Sequence, residues 1–327
     1  MKSFGVGVVA SCLLIVHGST NLPAGLKEAS QYPHANTVIQ ALFHLGAFCE
    51  KAISSLKAAT FKTNAEAALG VAFVSMKNKP NAIVDLNRTF YPALTETLRD
   101  VDPSAASHIG DSPTDVLNFL LDKVTPWAKN MMGVTEVVKM SFKNILFSEH
   151  ISSTPIFSVM SGQCGGPGKC SLKRAIDLAY QGGTEDLSTI PITREMVTIK
   201  SAIKRMEAKG IRWGKANEKV VRVDTIKLER PILPVLFTPR FKFDFTTGQT
   251  LDEVSLNYPE TLTVGDLTYH LQVMVNATPD NYHTIVRSDA AGKVWHRMEN
   301  EQVTRISKRD ALNCKTLVYL LFYVRDN

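Results

Sequence analysis

The sequence predicts an α+β fold in which a helical N-terminal half and an antiparallel C-terminal half face each other across a cleft. Three observations carry this expectation. From Asn36 to Ala59 apolar residues recur at helical spacing: Val38, Ile39, Leu42, Leu45, Phe48, Ile53 and Leu56. From Pro231 onward, short runs rich in β-branched and aromatic residues alternate with turn signals. No internal repeat is visible along the chain.

Taken in order, the leader MKSFGVGVVASCLLIVHGST has one Lys, an apolar run from Phe4 to Val16, and then small residues. That pattern predicts a signal peptide over residues 1–18, with a buried N-terminal strand as the alternative. The run is too short to span a bilayer, so no transmembrane segment is expected. Asn87-Arg88-Thr89 and Asn276-Ala277-Thr278 are glycosylation sequons. EASQYPHANTVIQALFHL reads as a loop and then an amphipathic helix opening at Pro33, a residue suited to the first helical position. NAEAALGVAFVSM and SPTDVLNFLLDKVTPWAKNMM read as further helices, the second with Asp115 in its first turn. SSTPIFSVMSGQCGGPGKCSLKRAIDLAYQGG reads as strand, loop and helix. TIKSAIKRMEAKGIRWGKANEKVVRVDTIKLE adds a short helix and more strand. PILPVLFTPRFKFDF, YHLQVMVNA, YHTIVRSD, KVWHRM and TLVYLLFYVRD read as strands.

With 327 residues, 44% of them hydrophobic, the chain can bury a large core in one or two domains. Net charge is +6, but Lys and Arg form no stripe interleaved with aromatics, and no nucleic-acid partner is expected. The five cysteines, Cys12, Cys49, Cys164, Cys170 and Cys314, are too few and scattered for a disulfide scaffold. Cys164 and Cys170 flank a glycine-rich loop suited to a small disulfide or two free thiols. A structural zinc site takes about four ligands and no second pair follows, so neither metal nor cofactor is expected.

Several stretches, in this order, resemble the boxes of the ubiquitin-specific proteases. In the first box, Gly25-Leu26, Asn36, Gln40, Ala41, Leu42 and Phe43 match. DSPTDVLNFLLD echoes the second, and RPILPVLFTPRFKFD the LPxxLxxxLxRFxFD strand. YHLQVMVNATPDNYHTIVRSDAAGKVWHRMENEQVTRI echoes the last box, and LVYLLFYVRDN the usual ending. The resemblance covers residue 22 to the C-terminus. It implies a papain-like fold with a helical thumb over 22–135, and fingers and an antiparallel β palm over 136–327. It also implies ubiquitin or a ubiquitin-like protein as partner. Only Cys164 and Cys170 lie in the fingers region, at the wrong spacing for the family's paired CxxC zinc ligands, so the fingers are expected to be shortened and metal-free.

In that family a cysteine opens the first helix, where the helix dipole favours its thiolate. A histidine from the sheet half takes the proton, an acid orients the histidine, and an upstream Asn holds the oxyanion. Here the aligned positions are Pro33 for the nucleophile, Asn281 for the base, Glu299 for the acid and Glu28 for the oxyanion residue. Proline has no nucleophile and Asn is no base. The resemblance therefore implies a pseudo-deubiquitinase that binds or scaffolds without hydrolysis. Asp115 stands where the family meets the basic ubiquitin tail, and as a first-turn acid it also suits a helix cap. His283 is the imidazole a slipped alignment would recruit, and His34 follows Pro33. For His44 and Cys49 the expectation is a surface histidine and a core cysteine. HANTVIQAL and the terminal RDN also resemble the inactive Sad1-like branch. The alternatives are an active thiol-dependent deubiquitinase and a ubiquitin-independent splicing or assembly scaffold. A cleaved leader implies secretion; otherwise the location is cytoplasm or nucleus.

Overall fold

The computed structural model describes residues 22–29, 32, 34–101, 103, 112–142, 145–160, 169–181, 183–186, 220–238, 241–244, 248–251, 255–278, 281–289, 293–313 and 318–326. The expected signal peptide, Pro33, Cys164, Cys314 and the helix expected within 187–219 lie outside the described residues.

The first part of the chain is helical. Strand β1 (Gly25–Leu26) leads to α1 (Ala35–Phe43), α2 (Gly46–Lys57) and α3 (Asn64–Asn78). Strand β2 (Ile83–Val84) pairs in parallel with β1, and α4 (Phe90–Val101) and α5 (Pro113–Phe119) follow. The single helix expected from Asn36 to Ala59 is broken. The chain leaves helical geometry at Leu45 (φ −89°, ψ 88°) and re-enters at Gly46. The break lets Leu42, Leu45 and Phe48 all reach one core, each fully buried. The expected 112–132 helix is also divided, into α5, a π-helical turn at Leu120–Val124 and a 3-10 turn at Pro126–Asn130. Pro126 lacks the N–H an α-helix would need there, and Thr125 ends the π turn by donating its N–H and hydroxyl to the Leu120 carbonyl.

Strands then dominate: β3 (Val134–Phe142), β4 (Ile145–Thr154), β5 (Phe157–Met160) and β6 (Lys169–Ser171). Helix α6 (Leu172–Gln181) precedes β7 (Gly183–Asp186), β8 (Val220–Lys227) and β9 (Ile232–Thr238). The rest are β10 (Phe241–Asp244), β11 (Gly248–Leu251), β12 (Ser255–Asn257), β13 (Thr261–Val264) and β14 (Leu267–Ala277). β15 (Tyr282–Arg287), β16 (Trp295–Glu299), β17 (Gln302–Ile306), α7 (Lys308–Leu312) and β18 (Val318–Arg325) complete the chain. An eight-stranded sheet runs β17-β16-β15-β14-β18-β9-β5, with β13 also paired to β14. A four-stranded antiparallel sheet runs β4-β3-β8-β7. Arg230 fastens the base of the smaller sheet, its Nη1 donating to the carbonyls of Met132 at 2.9 Å and Val134 at 3.2 Å.

The large sheet is covered on both faces, which is why β18 reads as an almost continuous apolar run. Leu320 and Phe322 join the core shared with the helices, along with Val275 and Val286. Leu321 and Tyr323 join the opposite core with Ile285, Met274 and the inner face of α6. Among the described residues no helix is long and apolar enough to cross a membrane.

Candidate functional site

The N-terminus of α1 meets the start of β15 between the helical lobe and the large sheet. The Thr284 hydroxyl donates to the Thr37 carbonyl at 2.9 Å, tying strand to helix. Pro33 lies outside the described residues; Tyr32, His34 and Ala35 are described. The Ala35 N–H donates to the Tyr32 carbonyl at 3.0 Å, and the His34 ring sits edge-on to Tyr282 with centroids 4.8 Å apart. Tyr282 packs in turn on Tyr319 at 5.1 Å, and the Thr114 hydroxyl of α5 donates to the Tyr319 oxygen at 2.7 Å. Burial, then Tyr319 and Asp115, push the Tyr282 phenol well above its ordinary value. Asp115 therefore faces this junction while remaining exposed. It is not itself the N-cap, which is one of the two roles its position suggests. Ser112 is the N-cap, its hydroxyl accepting the Asp115 N–H, and Asp115 returns the contact by accepting the Ser112 hydroxyl at 2.7 Å.

Behind the junction lies a buried polar network. Asn36 Nδ2 donates to the Lys27 carbonyl and to Asn300 Oδ1, both at 2.9 Å, and the Tyr91 hydroxyl donates to Asn36 Oδ1. Gln40 Nε2 reaches the Asn300 carbonyl at 3.1 Å, which the Leu26 N–H also meets at 2.9 Å. Asn300 lies between β16 and β17 in the left-handed region (φ 49°), which Asn tolerates better than most residues. A Cβ on Gly25 would lie 2.6 Å from the Glu301 carbonyl oxygen, so only glycine fits β1 against that turn. Tyr32, which sequence reasoning did not single out, is 5% exposed and bonds Thr95 Oγ1 at 2.8 Å.

The other expected site residues are placed as follows. Glu28 is exposed, and its carbonyl accepts from Asn87 Nδ2 at 2.9 Å. Asn281 closes the turn into β15. Its N–H donates to Thr278 Oγ1 at 3.0 Å, and its own Oδ1 accepts the Tyr282 N–H at 2.8 Å. Glu299 ends β16, the strand beside β15, and pairs with Arg297 Nη2 at 3.0 Å on the surface. The fold thus gathers Asn281, Glu299 and the start of α1 at one end of the sheet.

Three expectations are corrected. His283 is 3% exposed and faces Asn276 at 3.4 Å, on the opposite side of β15 from Thr284 and α1; burial, then Arg297, hold its imidazole down to about 4. It cannot be recruited to the junction, because adjacent strand residues point to opposite faces. His44 is not a surface histidine at its Nε2, which is sealed from solvent, and burial, then His296, lower it to about 3. The Asn276 sequon is completely buried in β14 and offers no glycan acceptor. Cys49 is a core residue, as expected, its thiol pushed up to about 12 by burial and then Glu50, which leaves no reactive thiolate near neutral pH.

The junction offers an imidazole, an amide, phenols and exposed carboxylates, and no described cysteine lies at it. Among the described residues, that set contains no thiolate–imidazole pair of the kind covalent catalysis uses. Among the described residues, no group of three or more His, Cys, Asp or Glu is placed to hold a metal ion.

Comparison of the sequence with protein-family models and with curated proteins returns no match. Solved structures do match. A chain of the SAGA Ubp8/Sgf11/Sus1/Sgf73 DUB module bound to ubiquitin aldehyde is 14% identical, with a TM-score of 0.64 over 93% of this chain and 69% of that one. The SAGA DUB module carrying a cysteine-to-alanine form of Ubp8, bound to monoubiquitin, gives 13% identity and a TM-score of 0.63, with the same coverage of both chains. The Saccharomyces cerevisiae PAN2 pseudoubiquitin-hydrolase gives 14% identity and a TM-score of 0.60, over 93% of this chain and 86% of that one. The fold is that of the ubiquitin-specific proteases: α+β, with helices against an antiparallel sheet.

Proposed function

We infer that this chain is a pseudo-deubiquitinase: it binds ubiquitin or a ubiquitin-like protein through the α1–β15 junction and does not hydrolyse it. The observation that carries the reading is Asn281, whose side-chain oxygen is turned onto its own strand at the position of the general base. The nucleophile position is Pro33. Glu28, where the family has its oxyanion Asn, carries a carboxylate that would repel a developing negative charge. Glu299 completes the set as the orienting acid with no histidine to orient. The fold is shared both with a ubiquitin-bound module and with a pseudohydrolase, which supports keeping binding and catalysis separate. The same reading assigns the thumb to 22–135 and the fingers and palm to 136–327, with Asp115 as the contact for a basic tail.

The test is turnover of ubiquitin fused to a fluorogenic amine, together with labelling by a ubiquitin probe bearing an electrophilic C-terminus. Neither is expected above a heat-killed control, while calorimetry with intact ubiquitin is expected to show binding. Turnover would return the active thiol alternative. Absence of heat at high concentration would favour the ubiquitin-independent scaffold.

A further inference from the structure

We propose that His44 and His296 form an acid-sensitive latch between the helical lobe and the large sheet, closed while both imidazoles are neutral and released when they are protonated. His44 caps the C-terminus of α1, its N–H donating to the Gln40 and Ala41 carbonyls, and its ring stands edge-on to Phe43 at 5.1 Å. Its Nε2 is sealed from water with no hydrogen-bond partner. His296 comes from the other side of the interface. It pairs in register with Val286, which belongs to the helix-side core, so its ring faces the helices; it is 3% exposed and bonds Ser288 Oγ at 2.6 Å.

The sealed Nε2 of His44 and the buried ring of His296 are stable together only while neutral, since a charge taken out of water needs a counter-charge. Among the described residues the surroundings supply none. From β17, Arg305 stands opposite His296 and adds positive charge. After β15, Asp289 uses its Oδ1 to accept the N–H groups of Lys293 and Val294. On α2, Glu50 pairs with Lys77 at 2.8 Å and Cys49 is an uncharged core thiol. Burial lowers both imidazoles, with His296 adding to the effect on His44 and Arg305 to that on His296. Below the ordinary histidine value of 6.5, each imidazole freed by opening takes up a proton that the closed form refuses. Opening is therefore favoured up to about tenfold per pH unit for each ring. Because α1 carries Thr37 and follows His34 at its other end, release of its C-terminus loosens the α1–β15 junction from behind.

The test is amide hydrogen exchange of the full chain at pH 7.0 and 5.0, expressed as protection factors corrected for intrinsic rates. Amides of α1 from Leu42 to His44, and of β16, are expected to lose roughly a hundredfold in protection on acidification, while β3 changes little. In the double variant His44→Gln/His296→Gln that loss is expected to vanish. A loss that is equal in the variant, or uniform along the chain, would overturn the latch. If the variant does not fold, the unmodified protein is followed by histidine-labelled NMR. One shared midpoint for both rings and for the loss of α1 protection supports the latch, and independent titration of the two rings overturns it.

Discussion

Asn36, itself fully buried, is held by three partners at once: the Lys27 carbonyl, Asn300 Oδ1 and the Tyr91 hydroxyl. That gives the motif's Asn and Gln a structural role in this chain. Asn36 and Gln40 clamp the first helix to the β16–β17 turn, a task independent of any reaction. Asn36→Ala orphans all three partners and is expected to lower stability by about 2–4 kcal/mol, measured by urea unfolding. Asn36→Asp keeps the shape but buries a charge and should be no milder. Asp115 behaves differently because it is exposed and its structural partner is the Ser112 hydroxyl, which an Asn oxygen accepts equally well. Asp115→Asn is therefore expected to leave unfolding unchanged within about 0.5 kcal/mol. If Asp115 meets a basic tail, the same change weakens ubiquitin binding by roughly three- to thirtyfold, less so at high salt. Calorimetry at two salt concentrations separates these outcomes, and unchanged affinity at low salt would leave Asp115 as a helix-start residue only.

Helix α3 shows what an element needs at its start. Thr63 Oγ1 accepts the Glu66 N–H at 3.0 Å, and Glu66 reaches back to accept the Lys62 N–H at 2.7 Å. The second carboxylate oxygen accepts the Trp127 indole at 2.8 Å, so this 2% exposed side chain joins α3 to the 3-10 turn after α5. Thr63→Ala is expected to cost about 1 kcal/mol, as caps usually do. Glu66→Ala removes the return contact and orphans the indole, and about 2–3 kcal/mol is expected from thermal unfolding. Equal effects of the two changes would mean that the Trp127 contact adds nothing. These elements differ in how far they could be read from sequence. α3 and strands β14, β15, β16 and β18 were legible because their apolar pattern has one period and their boundaries carry turn signals. α4 was not, because Pro92 in its first turn looks like a breaker, although the first N–H groups of a helix have no intrahelical partner to lose. The β3–β4 hairpin was hidden by exposed positions such as Lys139 and Glu149, which blur the alternation. Motif order is what brought Asn281 and Glu299 into consideration, whereas Tyr32 gave no local signal. Its partner Thr95 lies 63 residues away, a contact only tertiary packing creates.

At the scale of the whole molecule, histidines shielded from water on both sides of the large sheet contribute to the acid limit of stability, His283 and His44 being the most strongly shifted. His283 packs against Asn276 on one side, and His44 lies among the helices on the other. Burial is the first cause of both shifts, to about 4 for His283 and about 3 for His44. Both folded values lie below the unfolded value of 6.5, so the native state refuses protons that the unfolded chain accepts. The histidine contribution is therefore intact above pH 6.5 and is lost as pH falls from 6.5 through about 4 and then 3. Asp122 acts in the same direction at lower pH, because hydrogen bonds from Lys129 and then Lys123 hold its carboxyl below the ordinary value and are lost on protonation. At pH 5 each of these two histidines adds about 1 kcal/mol per pH unit to the slope of stability against pH. His283→Gln should remove about that much slope between pH 6 and 4.5, even if it lowers stability at pH 7.5 by disturbing Asn276. Denaturant unfolding at half-unit pH steps measures the slope separately from the offset. A slope unchanged by His283→Gln would mean that His283 protonates without unfolding, and that the sheet side of the molecule admits water where the structure shows it closed.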